Sequence, residues 1–237
     1  MTANATLSQD PARAGIAYVD DLLRPAPMRL ETGISRLDGG ALVVAVRTDL
    51  HGCKGRMLDW WFKQFDSSQH LHWWHPLDHV EHRGWDRHWR KGEAYVGATI
   101  RAVEALGDIP PVSAVIKFHE PAEIFDPQAY REALAAGQVS AAVYARIGFG
   151  DDVVLDADGD PTDGQMVHVV RDTSYGAVLR SRFILGQSTR ATGHEVPDAI
   201  GLGLLQHCHT EFSYLAKVLP SLYWGDKANR EDVPLLW

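Results

Sequence analysis

A histidine and a glutamate four residues apart, His207 and Glu211 in LLQHCHTEFSYLAKVLPSLY, have the spacing to act together. Read as a helix over 204–222, Leu204, His207, Glu211, Tyr214, Val218 and Leu222 fall on one stripe at the spacing of a buried face. Two ionisable groups then stand where apolar side chains belong, and an ionised carboxylate is costly to bury unpaired. A metal ion would compensate it, because i,i+4 side chains converge over one point above a helix. A satisfied histidine–glutamate hydrogen bond in the core is the plain alternative. The pair by itself leaves both open.

A metal site needs further ligands. Glu104 and Glu120 each fall on the apolar face of an alternating segment, at or near its end. Residues 70–89, HLHWWHPLDHVEHRGWDRHW, hold six of the chain's twelve histidines. His75 and His79 lie in WHPLDH, a turn stiffened by Pro76, whereas His70, His72, His82 and His88 keep more polar company. His119, His194 and His209 read as exposed. Trp60, Trp61, Trp73 and Trp74 would wall an aromatic pocket or pack an ordinary core.

The elements that must position these groups read as an α+β fold. ALVVAVRTDL (41–50) is a buried strand, and GRMLDWWFKQF (55–65) a short helix with Leu58, Trp61 and Phe62 on one side. The histidine-rich segment reads as a loop. Strands are expected over 93–106, 112–120 and 139–149, a short helix over 127–136, and two strands over 168–186 joined near Ser174–Gly176. DADGDPTDG lacks the glutamate and flanking helices of a calcium loop, so a hairpin turn is expected there. Residues 1–35 read as an N-terminal extension and 36–237 as the domain proper. An antiparallel sheet followed by one long helix would leave an internal pocket, into which His207 and Glu211 would point.

With 237 residues the chain is long enough for a substantial core. A net charge of −8 argues against nucleic-acid partners and anionic membrane surfaces. No apolar run is long enough to span a bilayer, and the N-terminus lacks the pattern of a secretory signal, so a cytoplasmic location is expected. Cys53 and Cys208 form no disulfide framework.

MLDWWF (57–62), WHPLDH (74–79), YVGATIRAVEALG (95–107), FHEPAEIFD (118–126), HVVRDTSYGAVLRSRFILG (168–186) and HCHTEF (207–212) occur in an order that resembles the diacetylphloroglucinol and phloretin hydrolases, across residues 35–222. The resemblance implies a Bet v 1-like helix-grip fold and a zinc enzyme that hydrolyses the carbon–carbon bond between an aromatic ring and an acyl group. It implies a zinc site of two histidines and two glutamates, which carries over to His207 and Glu211 on the helix. The other two positions fall on His79, with His75 the competitor, and on Glu104. Glu104 falls a little short of the expected spacing from His79 and Glu120 well beyond it. His168, on the same strand face as Met166 and Val170, is the candidate catalytic residue that delivers a proton to the ring carbon. His75, His82 and Glu120 are candidate substrate-binding residues, with His82 placed to meet a phenolic hydroxyl. The short N-terminal region departs from larger members, where a helical domain helps to enclose the substrate. A small aromatic ketone is the expected partner, and a homodimer is possible. A metal-free helix-grip carrier and a zinc-dependent ester or lactone hydrolase are the other readings.

Overall fold

The computed structural model describes residues 19–187 and 195–232. Eight antiparallel strands form one sheet in the order β1-β2-β8-β7-β6-β5-β4-β3. They are β1 (Gly33–Arg36), β2 (Leu42–His51), β3 (His79–Trp85), β4 (Thr99–Leu106), β5 (Ile109–His119), β6 (Ala141–Phe149), β7 (Gly164–Thr173) and β8 (Gly176–Leu185). Neighbours in space are neighbours in sequence except where β2 meets β8. Two short helices, α1 (Gly55–Phe62) and α2 (Ser68–Trp74), occupy the connection from β2 to β3, and α3 (Pro127–Ala135) joins β5 to β6. The last helix, α4 (Asp198–Gly225), lies across one face of the sheet against β2, β4, α1 and α2. This is the helix-grip arrangement. No helix among the described residues is long and apolar enough to cross a membrane.

The core explains the alternation in the strands. Val143, Ala145 and Ile147 of β6, Met166 and Val170 of β7 and Phe183 of β8 face α4, which answers with Leu204, Phe212, Leu215 and Leu219. The opposite face is covered too. Ala142, Tyr144, Val167 and Val169 meet Val19, Leu22, Leu23 and residues of α3 and its approach. Central strands buried on both sides need a near-continuous apolar run, as in β7. Residues 19–36 therefore belong to the same packed body as the sheet. Val19–Leu23 form a 3₁₀ turn on its outer face, β1 pairs with β2, and Glu31 holds Arg180 at 2.6 Å and 3.0 Å. Residues 1–18 of the expected extension, and His194, lie outside the described residues.

Three expectations are corrected. The histidine-rich segment is not a loop. Ser67 caps α2 by accepting the His70 N–H, Leu71 and Trp74 bury one side of the helix, and β3 forms by pairing with β4. The strand expected over 93–106 starts at Thr99, because Gly97, with φ of 83°, turns the chain first. On α4 the deeply buried residues are Leu204, His207, Cys208, Glu211, Phe212, Leu215, Leu219 and Tyr223, while Tyr214, Val218 and Leu222 are half-buried. The contact line drifts around the helix because a twisted sheet meets it obliquely.

Candidate metal centre

Three elements bring His79, Glu104, His207 and Glu211 to one cavity between α4 and the sheet. Helix α2 ends at His75, and Pro76 forbids its continuation. The turn delivers Asp78 and then His79 as the first residue of β3. There the sheet register sets His79 directly opposite Glu104, so their side chains leave the same face as a cross-strand pair. The register slips immediately after both residues, between His79 and Glu81 and between Glu104 and Leu106. Such bulges re-aim side chains at strand ends. Backbone bonds lock the turn onto β4, with the Ala105 N–H donating to the Asp78 carbonyl at 2.8 Å. From across the cavity, α4 presents His207 and Glu211 one turn apart.

The donor atoms suit a cation. One donor each from His79, Glu104 and His207 lie within 4.8 Å of one another, and His79 Nε2 stands 3.6 Å from Glu211 Oε2. Adjacent ligands of a tetrahedral zinc, at about 2.0–2.2 Å from the ion, stand about 3.4 Å apart. Both imidazoles are turned for ligation. His79 donates Nδ1–H to the Leu71 carbonyl at 3.0 Å, and His207 donates Nδ1–H to Asp78 Oδ2 at 3.1 Å. A carbonyl and a carboxylate only accept, so in the neutral form of each ring Nε2 keeps its lone pair for the cavity. A second group, His75, Asp78 and His207, is also close enough to be considered. It fits less well: the His75 and His207 rings stack with an interplanar angle of 8°, so their in-plane lone pairs run side by side instead of converging.

The electrostatics ask for a positive charge. Burial pushes the Glu211 carboxyl up to about 8, and neighbouring Glu104 adds to the rise. Burial likewise raises Glu104. Burial, reinforced by His207, drives His79 well below the usual imidazole range. Burial opposes a charged His207 as well, but the bond to Asp78 and the carboxylates of Glu211 and Glu104 outweigh it and raise its pKa. Asp78 is held low by that same bond. Two carboxyls that resist ionising beside two imidazole lone pairs form a donor set that a divalent cation would satisfy.

Residues 15–224 match the model of the DAPG hydrolase PhiG domain. The chain belongs to that family. It is 26% identical to the phloretin hydrolase of Eubacterium ramulus over 207 residues, covering 80% of this chain and 70% of the relative. Among solved structures, Ara h 8.0201 is similar with a TM-score of 0.45 and 9% identity, over 77% of this chain and 99% of that one. Protein Ms6760 from Mycobacterium smegmatis gives 0.43 and 11%, over 81% of this chain and 98% of that one.

In this family member the other candidates fall into two groups. His168 lines the cavity, with Nδ1 2.7 Å from Ser181 Oγ and its ring 5.0 Å from that of Phe212. Burial lowers its pKa to about 3, so it is neutral at pH 7. His75, His82 and Glu120 do not line the cavity. His75 sits behind His207, with Nδ1 accepting the Asp78 N–H at 3.0 Å. His82 packs against Phe65 and Trp85 on β3, and exposed Glu120 caps the turn at Pro121–Glu123. Trp74 lines the cavity, Trp61 is core, and Trp73 is exposed. His209 is exposed as expected, whereas His119 is half-buried between Glu123 and Asp160.

Sequence reasoning missed Asp78, Ser181 and Cys208. Asp78 had a signal, since it lies inside WHPLDH and a histidine ligand needs an acceptor behind it. Ser181 and Cys208 had none. Cys208 is bonded to both Ser181 and Glu211, and its thiol is pushed well above the usual range by burial and then by Glu211. It thus links the helix carboxylate to the hydroxyl that holds His168.

Proposed function

We propose that this protein is a zinc-dependent hydrolase that cleaves the carbon–carbon bond between an acyl group and a phenolic ring. The observation that carries this reading is the paired tautomer control of His79 and His207, which leaves two imidazole lone pairs facing two carboxyls in an otherwise apolar cavity. Membership of a hydrolase family with a phloretin hydrolase relative supports the reaction class.

In this reading His79, Glu104, His207 and Glu211 hold the ion. When bound, zinc supplies a Lewis acid for the acyl carbonyl and lowers the pKa of water. The protein's own groups do the rest. The bond from the acyl carbon to the ring carbon breaks, the acyl carbon gains the oxygen of water, and the ring carbon keeps the electron pair and takes a proton. His168 is anchored through Nδ1 on Ser181, which leaves Nε2 for the substrate. As a buried neutral imidazole it hydrogen-bonds the ring hydroxyl and passes a proton, so no standing imidazolium is required. The hydrocarbon lining excludes bulk water and strengthens these interactions.

Metal analysis of purified protein tests the site. One equivalent of zinc is expected, lost in His207→Ala and in Glu211→Ala with the helical signal retained. A folded wild type without metal would remove the reading in favour of a carrier. Incubation with acylphloroglucinols then tests the reaction. Release of the free phenol and the carboxylic acid is expected, and turnover of a separate aryl ester probe with no ring product from these ketones would replace carbon–carbon hydrolysis by ester hydrolysis.

A further inference from the structure

The cavity offers very little to a polyhydroxylated ring. Seventeen residues line it, and four of these are the proposed metal ligands. Of the other described lining residues, only His168 and Trp74 carry a side-chain nitrogen or oxygen. The Trp74 indole nitrogen has no accessible surface in the closed cavity. The rest is hydrocarbon or thioether, including Phe62, Phe65, Ile116, Phe118, Phe149 and Met166. The candidate substrate-binding residues, His75, His82 and Glu120, are elsewhere. The cavity is also small. At about 50 Å³ it holds a few waters. A ring enters only as the aromatic walls turn aside.

Each substrate hydroxyl brought into such a site must find a partner or lose its hydrogen bonds to water. Once the four ligands are committed to a metal, His168 Nε2 can serve one oxygen. We infer that the cavity selects an acyl compound with an apolar body and one hydroxyl or enol oxygen beside the reacting carbonyl, and that it discriminates against polyhydroxylated rings. This is the β-hydroxy enone unit that a 2-hydroxyaryl ketone and an enolised 1,3-diketone share. The inference rests on the hydrolase reading for which oxygen reacts, but the order of binding follows from the lining alone. The chemistry balances for either compound. Water adds its oxygen to the acyl carbon, and the leaving carbon takes the electron pair and a proton, giving a carboxylic acid with a phenol or a simple ketone.

Calorimetric titration of the purified protein, with its metal content recorded, tests this without turnover. The probes are acetophenone, 2-hydroxyacetophenone, 2,4,6-trihydroxyacetophenone and 1-phenylbutane-1,3-dione. The singly hydroxylated ketone is expected to bind about tenfold or more tighter than the triol, which strands two hydroxyls. It is also expected to lose its advantage over acetophenone in His168→Phe. Equal or tighter binding of the triol would overturn the inference, as would an advantage that survives His168→Phe. Tight binding of the diketone but not of the singly hydroxylated ring would identify a 1,3-diketone as the substrate class. Binding in the expected order with no hydrolysis of any probe would sink the hydrolase reading and leave the selectivity standing.

Discussion

At the scale of single residues, the candidate centre is held by Asp78 and Ser181, which do not line its cavity. Asp78 accepts from His207 Nδ1 and from the Gly107 N–H at 3.1 Å, so one carboxylate fixes both a candidate ligand's tautomer and the end of β4. Asp78→Asn keeps the shape but can turn an N–H toward His207, which favours the wrong tautomer. Zinc affinity is expected to fall about 10- to 100-fold, read by competition with a chelator. Ser181 plays the equivalent part for His168. Ser181→Ala removes one buried hydrogen bond and is expected to lower kcat about three- to tenfold with KM nearly unchanged and zinc content intact. A loss of zinc in that variant would show Ser181 acting on the metal through Cys208 instead.

At the scale of elements, the site is a meeting of one strand register with one helix. The pairing of β3 with β4 sets His79 opposite Glu104, and a slip of one residue would turn both to the other face. The helix is held close to the sheet at its first turns. A Cβ added at Gly201 would stand 2.7 Å from Leu42 Cδ2 and 3.2 Å from Ile34 Cγ2. Gly201→Ala would gain about 1 kcal/mol of helix propensity, but overpacking costs about 1–3 kcal/mol. The net expectation is a lower Tm in thermal unfolding. A rise would mean that the helix end shifts to make room.

For the whole molecule, the buried carboxyls proposed to hold the cation tie stability to pH. Without a cation the folded-state pKa of Glu211 is raised from 4.5 to about 8, so the folded protein holds that proton more tightly than the unfolded chain does. The associated stability is fully present below pH 4.5 and is lost as pH rises through about 8. His168 has the opposite sign, with a pKa lowered from 6.5 to about 3, so its contribution is present above pH 6.5 and lost on acidification toward pH 3. Above pH 6.5 the histidine contribution is complete and only the Glu211 loss remains, so metal-depleted protein is expected to lose Tm between about pH 6.5 and 8, while zinc-loaded protein does not. A flat profile for the depleted form would show that Glu211 is compensated by the protein alone. Ligand entry adds a second expectation. Because Phe62 lines the cavity from α1 and Leu71 and Trp74 line it from α2, a bound ring is expected to speed hydrogen exchange in α1 and α2 while slowing it in α4.

Local chemistry made much of this legible from the chain. The four-residue spacing of His207 and Glu211, the period-two runs that became β4 and β5, and the proline after His75 are read within a few residues, where helix, strand and turn geometry are decided. The same reading placed Glu104 and His79 as partners only through a family likeness, because no local rule says which carboxylate faces which histidine. Register decided that, and register is a property of paired strands. His75, in the same proline-stiffened turn, looked as able to reach a pocket as His79 did. Asp78, Ser181 and Cys208 gave little or no sign of their part. Their roles come from contacts between residues far apart in sequence, as when Asp78 meets His207 across 129 positions. Such contacts exist only after the helix has settled on the sheet.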